Sequence, residues 1–290
     1  MANTISKGDL FDAKLVAELF NKVKGHSSIA RLTGQSPIPF NGSKEFTFSM
    51  DSEVDVVAEN GKKSNGGATL TPVTIVPIKV EYGARVSDEF LTASDEEAID
   101  ILKAWTDGFS RKLARGLDLM AFHGVNPRTG QAAALIGTNS FDTNTGVAKL
   151  QTTGNAEGDL EAAITVIGDA DVTGYAFSKD FATSLSKVKE NGVSVYPEFK
   201  LGGNPGTLNG TACDVNSTVK TDLAIVGDFQ NAFKYGIAKE LPLEVIPYGN
   251  PDNSELGDLK GHNQVYIRSE AFIGWGVLDP SAFAVIQPAG

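Results

Sequence analysis

Histidine and cysteine, two side chains often used in acid–base and metal chemistry, are few in this sequence. It contains three histidines, His26, His123 and His262, and one cysteine, Cys213. No histidine has a second ligand at a metal-binding spacing, and neither an H-E-x-x-H nor a C-x-x-C motif occurs. A single cysteine excludes an intramolecular disulfide and a thiolate cluster. The pattern disfavours a metal site, while a lone histidine acting as a general base stays an open alternative.

Three short patterns that resemble ligand-binding motifs each have a simpler interpretation. The segment Gly202–Gly206 is glycine-rich like a phosphate-binding loop but lacks the lysine and the following helix. Asp142, Asn144 and Gly146 match part of a calcium loop without its downstream glutamate, so a turn is the better interpretation. The acidic run at residues 95–97 is typical of a helix N-terminus. We therefore predict no catalytic residue, no cofactor and no bound metal, and that the protein is not an enzyme.

Composition and charge are those of an ordinary globular protein with an acidic surface. The chain has 290 residues, of which 41% are hydrophobic and 21% charged, and a formal net charge of -11. An acidic chain repels phosphate, which disfavours sequence-specific nucleic-acid binding. Plain solubility is the better explanation of this charge, and an acidic wall that faces DNA without binding it tightly is the other. Without an apolar run of about 18 residues or a secretory signal after Met1, we expect no membrane segment and a cytoplasmic site of synthesis.

The N-terminal region predicts a short helix followed by an irregular strap. Ser6 and Asp9 form a helix start signal, and Gly25 follows an apolar stripe at helical spacing. Residues 26–42, rich in glycine and proline, predict an extended strap. Two arrangements stay open, because such a segment can pack on its own domain or reach a neighbouring subunit.

Residues 45–58 and 68–82 predict one long β-hairpin. Both segments alternate apolar and polar positions, and the glycine-rich segment 60–67 between them predicts a loop. Each arm of about 14 residues would extend roughly 45 Å. A two-stranded ribbon is at best marginally stable alone in water, so it should rest on another surface. The alternative is two ordinary sheet strands joined by a loose loop.

Residues 95–123 predict one long amphipathic helix, and the rest of the chain predicts a mixed unit. Ser94 and Glu97 form a capping box, and apolar residues recur at spacings of three and four. A loop over 124–158 separates this helix from the later elements. These are helices from Asp159 to Ile167 and from Ser178 to Asn191-Gly192, and strands at 175–177, 223–226, 233–237, 243–247, 264–268, 271–278 and 283–286.

Five stretches, taken in this order, resemble the major capsid proteins of tailed bacteriophages with the Hong Kong 97 fold. No single stretch is decisive, but their order and spacing are. They are Asp55–Glu59, Val80–Leu91, Leu113–Asp118 with His123-Gly124, Val265–Arg268 and Asp279–Phe283.

The resemblance implies an α+β Hong Kong 97-like fold with five segments. Residues 1–42 would form an N-terminal arm and residues 43–82 an extended β-hairpin loop. Residues 83–154, with the long spine helix, and residues 259–290, with the closing strands, would form a peripheral domain. Residues 155–258 would form an axial domain at the centre of each capsomer.

The resemblance also implies a partner set. The chain would assemble with itself into pentamers and hexamers of an icosahedral shell, in the host bacterial cytoplasm, and become part of the virion. A portal would join it. A separate scaffold protein and no scaffold at all are the two alternatives, and a decoration protein stays open. The shell would enclose double-stranded DNA without sequence-specific binding. An encapsulin-like compartment with protein cargo is the alternative, and an unrelated soluble enzyme is the third possibility.

Four residues are expected to contact neighbouring subunits. Glu59, Lys62 and Lys63 lie at the predicted hairpin tip, and Arg31 lies on the strap.

Some members of the family join a hairpin lysine to an asparagine near the last strands, with an assisting glutamate. Asn263 and Glu270 stand where that asparagine and glutamate would, and Lys63 is the candidate lysine. However, Pro72 occupies the position aligned with the lysine, so we expect no cross-link.

Overall fold

A computed structural model describes residues 26–89, 95–220 and 222–289, with the backbone alone described for 95–101 and 239–242. Within these ranges the chain mixes helices and strands. The four α-helices are α1 (Ser28–Leu32), α2 (Asp95–His123), α3 (Ala156–Ile167) and α4 (Lys179–Lys187). The predicted N-terminal helix before Gly25, and Ser94 of the capping box, lie outside the described residues.

The described strands form four sheets. In chain order they are β1 (Ser43–Met50), β2 (Ala68–Ile75), β3 (Ile78–Ser87), β4 (Ala148–Gln151), β5 (Gly174–Phe177), β6 (Lys189–Glu190), β7 (Val193–Ser194), β8 (Thr207–Leu208), β9 (Thr211–Val215), β10 (Ala224–Gly227), β11 (Phe233–Ile246), β12 (Gln264–Val277) and β13 (Phe283–Gln287). The largest sheet has six strands in the order β4-β13-β10-β5-β9-β8. A second has the order β11-β12-β3, while β1-β2 and β6-β7 are two-stranded ribbons.

The six-stranded sheet is covered on both faces. Alternate residues of β10 point to opposite sides, so that Ile225 packs in one apolar cluster and Val226 in the other. The first cluster contains the C-terminal half of α2, including Leu117 and Met120. The second contains α3 and α4. The continuous burial of β5 and β10 follows from this two-sided packing.

The long helix has the predicted limits, whereas the two shorter helices differ at one end each. Helix α3 begins at Ala156, three residues before the predicted start. Ser178 caps α4 as predicted, because its side chain accepts a hydrogen bond from the Phe181 amide. The helix ends at Lys187, earlier than predicted, since Asn191-Gly192 is the turn of the small β6-β7 ribbon and not a helix end.

The strap is not extended throughout, and the described part packs on its own chain. Residues 28–32 form α1, in which Ile29 and Leu32 are buried in the first apolar cluster. Farther along, Ile38 is also buried. The sequence left open whether this segment packs on its own domain or reaches a neighbouring subunit, and residues 26–38 pack on their own chain.

The hairpin is shorter than predicted. Only β1 and β2 pair with each other, at eight residues each or about 26 Å. The predicted return strand is interrupted at Val76 and Pro77, and β3 turns away to pair with β12. Proline has no amide hydrogen to continue a ladder, which explains a break there. Residues 51–67 contain no strand.

Two pairs of predicted strands are each one long strand. Residues 233–246 are β11, and residues 264–277 are β12. They pair along their length with register shifts after Ile237 and Leu241. These irregularities interrupt the apolar alternation that marked two separate strands.

Candidate assembly surfaces

The β1-β2 ribbon has an apolar face that points away from the chain. Residues paired directly across an antiparallel ladder share a face. Phe46 is opposite Pro72, Phe48 opposite Leu70, and Met50 opposite Ala68. The exposed fractions of Phe46, Phe48, Met50 and Leu70 are 58%, 59%, 74% and 58%. An apolar stripe therefore runs along the outer side of the ribbon.

The other face of the ribbon binds the body of the chain through polar contacts and one apolar anchor. The Glu45 carboxylate lies 2.6 Å from Lys234 Nζ on β11, and this hydrogen bond lowers the pKa of Glu45. The Thr47 hydroxyl donates to the Leu278 carbonyl at 3.4 Å. At the base of the ribbon, Ile75 is fully buried and packs closely against Gly276 of β12. A Cβ added at Gly276 would lie only 2.8 Å from Ile75 Cγ1 and would collide with it.

The loop between the two strands is exposed and held only at its base. Gly67 donates to the Asp51 carboxylate at 2.7 Å, and the Asp51 amide donates to the Gly67 carbonyl at 3.1 Å. Beyond this closure Glu59, Lys62 and Lys63 are exposed. None of these three forms an ion pair with a residue that the structure describes. Their role as contacts stays a prediction.

The strap is tied to the long helix by one buried carboxylate, Asp118. It accepts hydrogen bonds from the Ser27 hydroxyl at 2.5 Å, the Ser28 amide at 2.9 Å and the Ile29 amide at 3.2 Å. The Thr218 hydroxyl adds a fourth at 2.8 Å. Burial raises the pKa of Asp118 to about 6, and these hydrogen bonds act in the opposite direction. One side chain thus joins α1, α2 and the segment before β10.

Arg31 lies on the strap and is already paired within its own chain. Its guanidinium binds the buried carboxylate of Asp214 on β9. The same carboxylate accepts from the Ser28 hydroxyl at 2.6 Å and from the Asn204 amide at 2.8 Å. Because 39% of the Arg31 side chain is exposed, the predicted contact with a neighbour is still possible through the open side.

The three cross-link candidates lie on separate elements of the chain. Lys63 is in the exposed loop, Asn263 is exposed just before β12, and Glu270 is within that strand. Glu270 is 6% exposed, and its carboxylate lies 2.7 Å from Lys79 Nζ and 3.4 Å from Arg268 Nε. The absence of a cross-link stays a prediction.

One titratable cluster was missed by the sequence analysis. His123, the last residue of α2, lies beside Asp142 and Asp222, which come from two other segments. Asp142 had been noted for a calcium-like pattern, but nothing in the linear spacing linked it to His123. Asp142 does lie in a turn, as expected.

Across the described ranges, every helix is too short or too polar to span a bilayer.

Comparison with known proteins gives a consistent result. A family model described as the phage capsid family matches residues 7–287. A chain from a solved structure of Mycobacterium phage Ogopogo is 32% identical and has a TM-score of 0.75, covering 91% of this chain and 92% of its own. A chain from Gordonia phage Cozz is 24% identical with a TM-score of 0.74, covering 91% and 87%.

A chain from a structure titled as the capsid of a native GTA particle is 15% identical, with a TM-score of 0.62. It covers 91% of this chain and 90% of its own, and it shows likeness of fold. No curated protein sequence matches the chain.

Proposed function

Because this chain belongs to the phage capsid family, we propose that it is the major shell subunit of a tailed phage and builds an icosahedral shell around double-stranded DNA. Pentamers and hexamers of the chain would form the shell, with Hong Kong 97-like subunits. Assembly would take place in the bacterial host, with a portal and with a scaffold or decoration protein as further partners.

The observation that carries this proposal is the apolar outer face of the β1-β2 ribbon. Phe48 and Leu70 lie side by side there, each more than half exposed. A two-stranded ribbon is marginal without a surface to cover one of its faces. Its inner face binds the chain's own body through polar contacts such as Glu45 with Lys234. The apolar face is therefore available for a second copy of the subunit.

A repeated contact of this kind suits a closed shell. When each subunit lays its ribbon on the next one, the contact is heterologous and closes into a ring at a suitable rotation. The tip loop, with Glu59, Lys62 and Lys63, would then lie on the neighbour. These charges pair with no residue that the structure describes, and they can form ion pairs on the neighbour.

The proposed domain layout is the five-segment layout that the family resemblance implies. It keeps an arm over 1–42, an extended loop over 43–82, a peripheral domain over 83–154 with 259–290, and an axial domain over 155–258. Pairing of β3 with β12 supports the junction of the two peripheral segments. The last strand, β13, also pairs with β10 of the axial segment, so the two proposed domains share a sheet.

The net charge is compatible with enclosure of DNA. A shell protein with a net charge of -11 repels phosphate and would leave packaged DNA free to move. The encapsulin-like alternative is less favoured, since the structures compared above come from phages and a GTA particle.

Shortening the tip loop tests the proposal. Replacing residues 52–66 with Asn-Gly retains the Asp51–Gly67 closure and supplies a two-residue hairpin turn. We expect folded subunits or rings that fail to form closed shells in electron micrographs, while the unaltered chain forms shells. Circular dichroism and thermal melting control for folding. Normal shells from the shortened chain would show that the tip has no role in assembly.

A further inference from the structure

A buried group of three side chains joins the end of the long helix to the sheet. His123 Nδ1 lies 2.7 Å from one carboxylate oxygen of Asp142 and 3.6 Å from one of Asp222. Their ligand atoms all lie within 4.8 Å of one another. His123 and Asp222 are 9% and 2% exposed. Three segments that are distant in sequence thus meet at one point.

The hydrogen bond on the far side of the imidazole fixes its orientation. His123 Nε2 lies 2.8 Å from the Thr218 carbonyl, which only accepts hydrogen bonds, so Nε2 carries a hydrogen. Nδ1 faces the two carboxylates at 2.7 and 3.6 Å, so a positive charge must lie between them: either a proton on Nδ1, or a metal ion bound by the lone pair that Nδ1 has in the neutral ring. A histidine that ligates a metal typically donates its other ring N–H to a carbonyl or carboxylate in this way.

Oxygens of both aspartates lack hydrogen-bond partners among the described residues. Asp222 Oδ2 and Asp142 Oδ1 are buried and accept no hydrogen bond. A buried polar atom without a partner is unfavourable and calls for an explanation, such as an ion at the site. When Nδ1 carries no proton, the centre of the cluster is lined by electron-rich atoms alone. It therefore needs a positive charge.

We propose that His123 Nδ1, Asp142 and Asp222 bind one divalent transition-metal ion of the zinc class. Imidazole nitrogen with carboxylate oxygen suits zinc and its neighbours, whereas calcium and magnesium take oxygen ligands alone. Three protein ligands leave a coordination position for water, which can enter beside Asp142, whose side chain is 24% exposed. The ion would link the end of α2 to the turn that contains Asp142 and to Asp222 before β10.

A proton is the competing source of the positive charge. Three effects raise the pKa of Asp222 to about 8: burial, the hydrogen bond to Asp142 that only a protonated Asp222 can donate, and repulsion from the Asp142 carboxylate. The cluster without metal would hold a shared proton at neutral pH, and a metal would displace it. Zinc titration distinguishes the two occupants. A cluster that binds a metal ion takes up Zn²⁺ through these three side chains, whereas a cluster that holds only a proton does not.

Zinc titration of the full chain tests the proposal. The protein is treated with EDTA, dialysed and titrated with Zn²⁺ in a calorimeter, beside Asp222→Asn and His123→Gln. The matched control is His262→Gln, a change at an exposed histidine outside the cluster. We expect about one ion per chain in the unaltered protein and the control. Either cluster variant should bind at least about 100-fold more weakly.

Thermal melting supplies the second readout. Zn²⁺ should raise the Tm of the unaltered chain and the His262→Gln control, and leave the Tm of Asp222→Asn unchanged. If the buried variants fail to fold, Asp142→Asn at the more exposed ligand serves instead. No zinc binding by the unaltered chain, or equal binding by the chain and its cluster variants, would overturn the proposal.

Discussion

Replacing the two phenylalanines of the ribbon should abolish assembly and leave the subunit folded. Phe46 and Phe48 are 58% and 59% exposed on the outer face. Complete burial of a phenylalanine contributes about 1.5–3 kcal/mol, so burying the exposed part of each contributes about 1–2 kcal/mol. Phe46→Ser with Phe48→Ser would remove about 2–3.5 kcal/mol from each contact, or roughly 30–300-fold in association.

The subunit itself should lose little, because exposed substitutions usually change stability by about 0.5 kcal/mol or less. Sedimentation velocity and electron microscopy measure assembly, and urea denaturation measures folding. Val166→Ser, which alters a half-exposed apolar residue on α3, is the matched control and should assemble normally. Shells formed by the double variant at the normal concentration would refute the assignment of this face. A large loss of subunit stability would show that the face is covered within the chain.

Three further predictions concern the subunit alone. Asp118→Ala should lower the free energy of unfolding by about 3–5 kcal/mol, because it leaves buried donors of the strap without an acceptor. Urea denaturation measures this loss, and a loss below about 1 kcal/mol would contradict the prediction. The hydrogen bond from Arg85 lowers the pKa of Asp252 to about 2, so its contribution is present above about pH 4 and is lost as the pH falls towards 2. Hydrogen-exchange protection over residues 249–258, taken relative to the intrinsic exchange rate at each pH, should therefore fall in that window, and Arg85→Ala should show low protection at every pH. Burial raises the pKa of the Cys213 thiol to about 11. A thiol reagent at pH 8 should therefore react slowly with the folded chain and faster once urea unfolds it. A fast reaction with the folded chain would contradict the buried position of Cys213.

Local signals in the sequence predicted the elements whose structure is decided locally. The limits of α2 followed from its acidic start and its apolar spacing, and Ser178 was predicted as a helix cap. The ribbon was overestimated because β2 and β3 have the same strand composition on both sides of Pro77. Their partners differ, and partner choice depends on β12, which is distant in sequence.

The two buried carboxylate sites could not be predicted, since each is assembled from distant segments. Asp118 reads as a polar position near the end of an amphipathic helix, and only the folded strap supplies its donors. His123 ends α2 and Asp222 precedes β10, and the two meet only because the helix packs against the six-stranded sheet. The spacing of residues along the chain does not predict contacts between distant segments. Helix caps and turns can be predicted, because they are formed by residues that are close in sequence.

The proposed shell depends on the outer face of the ribbon lying on another copy of the chain. A cryo-electron microscopy map of the assembled particle would show this contact. We expect a closed shell in which Phe46, Phe48 and Leu70 pack against a neighbouring subunit. A ribbon whose apolar face is open to solvent in the particle, or folded onto its own subunit, would contradict it.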